Sequence, residues 1–396
     1  MPRTSLSQRP KLVFIYKTLG PYHLPRLIHL AKETASFADV RCIVIASRQN
    51  DYLWSTEQNL IVKALDSLSI VTLFPNKSVE KVSAVQQFRA LIKDMKIHRP
   101  SLILTAGYSH LPMLFSALVM RGLGVPTALM SDSNQFDRPR SHRSEFLKGF
   151  VLKAFDGALA AGHHSRNYLA DLGMRADLIE TACDVVDNEY AAHHAETARR
   201  STKGNPSCFL FVGRMVEEKN IPLLLQAYQI YRDQCTETVV KKLVICGSGP
   251  LEDNVKARVA EMGLIDVDFA GYVLHPDIYF YYAQACALVL SSKQEPWGLV
   301  VNEALAAGLP VMVSDACGCA PDLVLEGCTG WTFPSDDANE LANLMLEADQ
   351  LSAVQYLEMQ SSCRQHISQW GLPKFTSGCL RLAGQIAGFG PYAGDI

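Results

Sequence analysis

Short apolar runs alternate with amphipathic helical patterns along most of the 396-residue chain. Helical patterns such as 79–97 and 112–121 lie between most of the apolar runs. This alternation predicts a parallel sheet with helices on both faces, because parallel strands need a crossover connection that is usually a helix. In the first half, the runs that predict strands are 11–16, 40–46, 70–74, 101–105, 125–130 and 158–161.

The alternation stops in a polar stretch, 189–206, which ends in Gly and Pro as linkers often do. Since 396 residues exceed one ordinary core, we predict two doubly wound α/β domains, 1–188 and 207–370, followed by a helical segment, 371–396. Ligands of such sheets bind beyond the carboxyl ends of the strands, which predicts a site in a cleft between the domains. Further predicted strands are 208–212, 242–246, 267–269, 287–290 and 310–313.

The composition is that of a soluble globular protein, with 48% hydrophobic and 19% charged residues. No apolar stretch has the length of a membrane span, and residues 12–16 are too few for the apolar core of a signal peptide. The eleven cysteines are odd in number and scattered, so we expect reduced thiols in a cytoplasmic protein. The pair Cys317 and Cys319 lacks a second pair at metal-ligand spacing, which favours two small residues in a tight turn.

Charge is divided unevenly along the chain. Residues 1–200 contain 25 Lys and Arg against 18 Asp and Glu (+7), and residues 201–396 contain 12 against 22 (−10), which sums to the net charge of −3. A basic half can face an anionic partner such as phospholipid headgroups or a phosphorylated acceptor. Ordinary surface variation explains the difference equally well.

The first strand of the second half leads into FVGRMVEEKNIP, residues 211–222. Gly213 permits a sharp turn, Arg214 follows at the carboxyl end of the strand, and Lys219 is predicted in the first turn of the next helix. A lysine is unfavourable at that end of a helix dipole unless an anion lies opposite. An Arg fork and a Lys point charge suit a diphosphate, and a surface Lys among helix-start glutamates is the alternative.

The next strand ends in CGSGPLED, residues 246–253. Gly247 and Gly249 match the first two glycines of a dinucleotide-binding fingerprint, but that motif needs a third glycine where this chain has Glu252. The sequence therefore argues against NAD binding. We expect these glycines to turn the chain or to let the backbone approach a ligand.

The stretch EPWGLVVNEALAAGLPV, residues 295–311, combines two acids with an apolar helix start. Gly298, Leu299 and Val300 are predicted to open the helix, where unpaired N–H groups and the dipole favour an anion. Carboxylates repel phosphate but accept hydrogen bonds from pairs of hydroxyls. We predict that one of Glu295 and Glu303 holds the ribose and the other the sugar of a nucleotide sugar.

These motifs, with FAGYV (269–273) and GCAPDLVLEGCTGWTF (318–333), together resemble a family-4 retaining glycosyltransferase of the GT-B fold over residues 207–347. The resemblance implies that Arg214 and Lys219 bind the diphosphate, Glu295 the sugar and Glu303 the ribose. It also implies that residues 271–273 lie near the base, that no metal or other cofactor is needed, and that the last helix crosses back to the first domain. The catalytic candidates are Arg214, Lys219 and Glu295, and the candidates for binding the sugar donor are Gly213, Gly249, Gly271, Val273, Gly298, Leu299, Val300 and Glu303.

The first half resembles the family more loosely. Many members have two glycines after the first strand, but here KTLGPYHLPRL has Gly20 alone before His23, a form similar to a subgroup that acts in surface-polysaccharide or lipopolysaccharide assembly. Many members have a His after the fifth strand, where this chain has Asp132, and His110 after the fourth strand could replace it. These four residues are candidates for the acceptor side of the cleft, although a lone His is more often structural.

Residues 136–155, FDRPRSHRSEFLKGFVLKAF, interleave basic and large apolar side chains. Such a basic amphipathic helix can lie on an anionic membrane surface, or it can pack its apolar face on the sheet, which is the commoner case. Contact with a membrane would make the protein peripheral on the inner membrane face.

The resemblance implies a retaining glycosyltransferase that moves a hexosyl unit from a nucleoside-diphosphate sugar to a hydroxyl acceptor, in surface polysaccharide, lipopolysaccharide or glycolipid synthesis. The acceptor is a glycan, a glycolipid or a small molecule, and nucleic acid is not an expected partner. Two alternatives stay open: a nucleotide-sugar epimerase or sucrose-type synthase on the same fold, and a nucleotide-sugar-binding protein without catalysis.

Overall fold

The computed structural model describes residues 9–49, 66–137, 141–201, 207–235 and 240–393. These residues fall into two compact units. The first unit takes the described residues of Met1–Gln135, Arg140–Val185 and Leu372–Ile396, and the second takes those of Phe136–Pro139 and Val186–Gly371.

The first unit is built on a parallel sheet that has seven strands within the described ranges. The strands are β1 (Lys11–Tyr16), β2 (Asp39–Arg48), β3 (Leu68–Ser78), β4 (Leu102–Ala106), β5 (Thr127–Ser131), β6 (Gly157–Ala160) and β7 (Ile179–Thr181). The helices that follow in chain order are α1 (His23–Thr34), α2 (Ala84–His98), α3 (Leu111–Gly122), α4 (His142–Leu152) and α5 (His163–Asp171). The strand order is β3-β2-β1-β4-β5-β6-β7. Strands β1 and β5 are buried along nearly their whole length, as expected where helices cover both faces of a parallel sheet.

The helix predicted at 79–97 forms in two pieces. A single 3₁₀ turn, Val79–Lys81, comes first, and α2 begins only at Ala84. Ser83 lies between them with extended backbone, and its hydroxyl accepts a hydrogen bond from the Gln86 N–H in a capping box. Because that box satisfies the first N–H groups of α2, the helix starts there and not at Val79.

Helix α4 leaves its apolar side in solvent. The side chains of Phe146, Leu147 and Phe150 are 82%, 61% and 66% exposed, and on α4 itself only Leu152 is buried. Its one acid, Glu145, faces α5, where it accepts a hydrogen bond from the Tyr168 hydroxyl at 2.7 Å. The alternative that these apolar side chains pack on the sheet is therefore wrong for Phe146, Leu147 and Phe150.

The second unit contains a second parallel sheet. Its strands are β8 (Cys208–Val212), β9 (Lys242–Cys246), β10 (Val267–Gly271), β11 (Ala285–Leu290), β12 (Val311–Ser314) and β13 (Gly330–Phe333). Its helices are α6 (Asn188–Ser201), α7 (Ile221–Gln234), α8 (Glu252–Glu261), α9 (Ile278–Gln284), α10 (Leu299–Ala306), α11 (Ala320–Leu323), α12 (Ala338–Asp349) and α13 (Ala353–Ile367). The strand order is β10-β9-β8-β11-β12-β13. Aromatic residues of β8 and α7 fill the core, where the rings of Phe209 and Tyr231 meet edge to face at 5.1 Å.

The stretch expected to be a polar linker, 189–206, is helical over most of its described part. Helix α6 packs against α9 through small side chains, and its buried residues are Ala191 and Ala195. Glu189 in the first turn and Arg199 and Arg200 in the last complement the helix dipole. Residues 202–206 lie outside the described residues.

The last helix, α14 (Leu372–Ala387), belongs to the first unit, where it packs on α1 and β7. The Phe375 ring lies 6.1 Å from the Phe14 ring of β1, and the Arg381 guanidinium pairs with Glu180 at 2.9 Å. The predicted fold class, two doubly wound parallel-sheet domains with a last helix that returns to the first, is confirmed. Over the described ranges, every helix is too short or too polar to span a bilayer.

Candidate functional site

The sheet of the second unit reverses its strand order between β8 and β11. In open α/β sheets such a switch point separates the loops beyond the carboxyl ends of the strands and creates a binding crevice. Here the loop after β8 carries Arg214 and Lys219, and the loop after β11 carries Glu295. The three catalytic candidates thus lie on the two loops that flank this switch point.

Lys219 and Glu295 form an ion pair across the switch point, although they are 76 residues apart. The Lys219 side chain is only 16% exposed to solvent and the Glu295 side chain only 14%. The Ser292 hydroxyl also donates to the Glu295 carboxylate, at 3.3 Å. The residue predicted to bind the diphosphate and the residue predicted to bind the sugar therefore contact each other directly.

The local structure around Lys219 differs from the prediction. Lys219 ends a 3₁₀ turn, Glu217–Lys219, and α7 begins only after Asn220, whose φ of +49° breaks the helical path. The Lys219 carbonyl accepts a hydrogen bond from the Ser291 hydroxyl at 3.0 Å, which ties this turn to the end of β11. Lys219 is therefore not in the first turn of a helix, and its charge is balanced by Glu295. Arg214 lies at the exposed start of the same loop.

Glycines pack the loops after β8 and β9 against each other. A Cβ on Gly247 would lie 1.8 Å from the Gly213 carbonyl oxygen, and a Cβ on Gly249 would lie 2.6 Å from the Met215 carbonyl oxygen. The Met215 N–H donates to the Ser248 carbonyl at 2.9 Å. Gly249 thus has a packing role that is sufficient to explain it, and its predicted contact with the sugar donor stays a prediction.

The loop that carries Glu295 is fixed by backbone and aromatic contacts. Gly318 N–H donates to the Glu295 carbonyl at 2.9 Å, and the buried Trp297 donates its indole N–H to the Asn302 side chain at 2.9 Å. Gly298 has a φ of +107°, and a Cβ there would lie 2.9 Å from the Leu290 side chain. Only glycine fits this conformation without strain.

Helix α10 begins at Leu299, directly after Gly298, as predicted. The N–H groups of the first residues of a helix have no partner within the helix, so those of Leu299 and Val300 are available to an anion. Both residues are half-buried. The helix start therefore has the properties of a phosphate site, with Lys219 and Glu295 on the loops beside it.

Glu303, the fifth residue of α10, is only 1% exposed. Its Oε2 accepts a hydrogen bond from the Tyr282 hydroxyl at 2.9 Å, and its Oε1 lies 3.2 Å from His275 Nε2. Burial and the Glu303 charge raise the pKa of the neighbouring Tyr279. Sequence reasoning missed Tyr282 and His275, although His275 comes two residues after the segment expected near the base.

That segment, residues 271–273, follows β10. Gly271 has a φ of +69° and no atom within 4 Å of the position of a Cβ, and Val273 is half-buried. The Gly271 carbonyl accepts a hydrogen bond from the Gly247 N–H at 2.6 Å, which joins this loop to the loop after β9. Proximity to a base stays a prediction.

In the first unit, the sheet reverses its order between β1 and β4, and three of the four acceptor-side candidates follow these strands. Gly20 N–H donates to His23 Nδ1 at 2.8 Å, so the His23 imidazole is neutral with its proton on Nε2. Burial, assisted by the Arg26 charge, lowers the pKa of His23 to about 3. His23 therefore holds the loop after β1 in place.

His110 is the residue before α3. Burial and the Lys17 charge lower its pKa to about 4, which keeps it neutral at pH 7. Within the described ranges its Nδ1 is buried and has no hydrogen-bond partner. Asp132 follows β5, is exposed, and accepts a hydrogen bond on its carbonyl from the Ser165 hydroxyl. Lys17, His110 and Asp132 thus follow three neighbouring strands, β1, β4 and β5.

The cysteines are free thiols, and most are buried. Burial, together with the charge of Glu295, raises the pKa of Cys317 to about 12, and burial raises that of Cys319 as well. Thiols in this state are poor nucleophiles and poor metal ligands at neutral pH. In the part of the chain that the structure describes, no three His, Cys, Asp or Glu side chains converge on a point where they could hold a metal ion.

Residues 194–365 match the family model described as "Glycosyl transferases group 1". Similar curated proteins include the amylovoran biosynthesis glycosyltransferase AmsK of Erwinia amylovora, 31% identical over 160 residues, which are 38% of this chain and 38% of the relative. O-antigen chain mannosyltransferase B of Escherichia coli is 32% identical over 142 residues, 35% of this chain and 36% of the relative. The chain thus matches little more than a third of the length of these relatives.

Among solved structures, Anabaena HepE in complex with UDP-glucose is similar to the chain, with a TM-score of 0.70 and 17% identity. The similarity covers 96% of this chain and 100% of that one. At this level of identity it establishes the fold. Each of the two units is a Rossmann-like α/β domain, as predicted from the sequence.

Proposed function

We propose that the chain is a glycosyltransferase that moves a hexosyl unit from a nucleoside-diphosphate sugar to a hydroxyl acceptor, with retention at the anomeric carbon. The observation that carries the proposal is the cluster at the switch point of the second sheet. There the Lys219–Glu295 ion pair lies beside the glycine-opened start of α10, which carries the buried Glu303. All of these residues fall inside the segment that matches the group 1 family, residues 194–365.

In the proposed reaction, the bond from the anomeric carbon to the diphosphate breaks as the acceptor oxygen forms its bond to the same carbon. The acceptor proton passes to the leaving diphosphate. Negative charge grows on that diphosphate in the transition state, and we assign its stabilisation to Arg214, Lys219 and the first N–H groups of α10. Glu295 is already occupied by Lys219 and Ser292, which suits a ligand of sugar hydroxyls better than a covalent nucleophile. We therefore favour displacement on one face of the sugar.

The proposed setting is the synthesis of a surface polysaccharide, a lipopolysaccharide or a glycolipid at the cytoplasmic side of a membrane. The names of AmsK and O-antigen chain mannosyltransferase B support this setting. UDP-glucose is a reasonable first sugar donor to test, because HepE was solved with it. We propose that no metal is required, so transfer should persist in excess EDTA.

One experiment separates this function from its alternatives. UDP-glucose, UDP-galactose, GDP-mannose and ADP-glucose are each incubated with the protein, with and without glycan and glycolipid acceptors, and release of nucleoside diphosphate is measured. A transferase releases it in step with glycosylated product, whose anomeric configuration NMR then determines. An epimerase changes the sugar without release, a sucrose-type synthase requires a free sugar or sugar phosphate, and a non-catalytic protein binds the nucleotide sugar without turnover.

A matched pair of variants shows that the activity comes from the described site. Lys219→Ala removes the cation of the ion pair, whereas Lys293→Ala removes an exposed lysine on the neighbouring loop after β11. Loss of release in the first variant and normal release in the second supports the site. Equal activity in both would reject it.

We also propose that α4 rests on an anionic membrane. Its exposed apolar side chains lie between Arg143 and Lys153, which are exposed near the two ends of the helix, while Glu145 faces α5. Neighbouring α3 adds exposed apolar side chains, Leu111, Phe115, Leu118 and Val119. Apolar side chains flanked by cations are the pattern of a helix that lies in the plane of a membrane interface.

A further inference from the structure

Glu303 is held by two side chains that differ in how easily they can move. Tyr282, in α9, is fully buried and donates its hydroxyl to Oε2 at 2.9 Å. His275 lies in the loop between β10 and α9, and its side chain is 28% exposed to solvent. Its Nε2 lies 3.2 Å from Glu303 Oε1. One carboxylate oxygen thus faces the core of the unit, and the other faces a side chain that solvent can reach.

The contact with Tyr282 is rigid because the ring is packed on all sides. Its ring centroid lies 5.9 Å from that of Tyr279, which is itself only 3% exposed. The ring of Tyr279 in turn lies 6.0 Å from His194 and 5.9 Å from Tyr190, both on α6. Moving Tyr282 away from Glu303 would disturb this whole aromatic group.

We propose that Tyr282 is a positioning residue that fixes Glu303 so that Oε1 receives the ribose hydroxyls, and that His275 covers Oε1 until the ribose replaces it. The inference rests on the proposed function, because it takes Glu303 as the ribose ligand. It goes further by naming what this site selects, which is a ribonucleoside diphosphate over its deoxy counterpart.

The selection follows from the burial of Glu303. A buried carboxylate oxygen that loses its ion-pair contact without gaining a hydrogen bond in its place is strongly unfavourable. A ribonucleotide that displaces His275 supplies hydroxyls to Oε1, whereas a deoxynucleotide displaces His275 and supplies fewer. Sites built around a hydrogen bond to a substrate hydroxyl reject analogues that lack it for the same reason.

The test measures binding by calorimetry, with no turnover needed. UDP, GDP and ADP are each compared with their 2′-deoxy and 3′-deoxy forms, on the intact chain and on Tyr282→Phe, His275→Ala and Glu303→Gln. Tyr231→Phe is the matched control, because the Tyr231 hydroxyl also donates to a carboxylate in the same unit, that of Asp349, at 2.8 Å. Thermal unfolding of the two tyrosine variants shows whether their losses of stability are comparable.

The intact chain should prefer the ribonucleotide by about 10- to 100-fold, the range of one charged hydrogen bond. Tyr282→Phe should lose most of this preference, as Glu303→Gln does, and Tyr231→Phe should keep it. His275→Ala should keep the preference and bind the ribonucleotide at least as tightly as the intact chain.

An unchanged preference in Tyr282→Phe would show that its hydroxyl is merely structural and would overturn the positioning role. Loss of the preference in His275→Ala would make His275 a ribose ligand and overturn its role as a cover. Absence of binding of all three nucleoside diphosphates to the intact chain would refute the proposed function, and the inference with it.

Discussion

Replacing Glu295 by Gln is expected to tighten the binding of a nucleoside diphosphate, whereas replacing Glu303 by Gln is expected to weaken it. In the structure, Glu295 holds Lys219, the cation that we propose binds the diphosphate. The diphosphate must therefore displace one carboxylate from Lys219 before it can bind. Glu303 instead contacts Tyr282 and His275, neither of which is a predicted ligand of the diphosphate.

The magnitudes follow from burial. Two unit charges about 4 Å apart attract by roughly 4 kcal/mol at an effective dielectric constant near 20, and desolvation offsets most of this in a pair as buried as Lys219 and Glu295. If about 1 kcal/mol remains, its removal tightens binding about fivefold. Loss of a charged hydrogen bond in Glu303→Gln costs about 1.5–3 kcal/mol, which weakens binding by roughly 10- to 100-fold.

Calorimetry with the nucleoside diphosphate alone, at low and moderate salt, measures both effects. The gain in Glu295→Gln should persist at moderate salt, because partly buried pairs are screened less than exposed ones. Glu252→Gln, which breaks a surface ion pair with Lys256 in the same unit, is the control and should leave affinity unchanged. If Glu295→Gln weakens binding as much as Glu303→Gln, the placement of the ligand across the start of α10 is wrong.

Three further predictions concern other parts of the chain. Arg214→Ala and Lys219→Ala should each slow transfer by about 10²–10³-fold, the loss of roughly 2.7–4 kcal/mol of leaving-group stabilisation, and near-normal rates in both would reject the diphosphate assignment. The intact chain should sediment with anionic vesicles and less so at high salt, and Phe146→Ser combined with Phe150→Ser should abolish this; equal, negligible binding of the intact chain to neutral and anionic vesicles would rule out the membrane surface. Since burial lowers the pKa of His23 from 6.5 to about 3, the unfolded chain binds more protons than the folded one between these values, so stability falls as the pH falls through this window. The unfolding temperature of His23→Asn should therefore drop less than that of the intact chain between pH 6.5 and about 4.5, and parallel curves would contradict the neutral, buried imidazole.

The sequence was sufficient to predict both sheets because buried parallel strands are continuous apolar runs, which β1 and β8 illustrate. It was not sufficient for α6, whose buried face consists of two alanines and leaves no periodic apolar signal. The sequence of α4 predicted a helix, but the burial of its apolar face depends on packing that local pattern does not encode. Strand β13 was missed because four residues with a glycine at the start give too short a pattern.

The candidate site was likewise predictable from the sequence only in part. The start of α10 could be predicted because Gly298 and the apolar run after it are adjacent in sequence. The Lys219–Glu295 pair joins residues 76 positions apart, and the hydrogen bond from Tyr282 to Glu303 depends on how α9 packs against α10. Both contacts arise from the order of strands in the sheet and not from any local motif.

The glycine contacts between the loops after β8 and β9 divide the second unit into a part that resists substitution and a part that accepts it. Even a methyl group at Gly247 would collide with the Gly213 backbone, so the surroundings of Lys219 can vary little without refolding both loops. Beyond β10, in contrast, Tyr272 and Leu274 point into solvent and are 49% and 55% exposed. We therefore predict that recognition of the leaving diphosphate and recognition of the base are separable, and that a library randomised at Tyr272 and Leu274 alone yields variants that use a different nucleotide sugar.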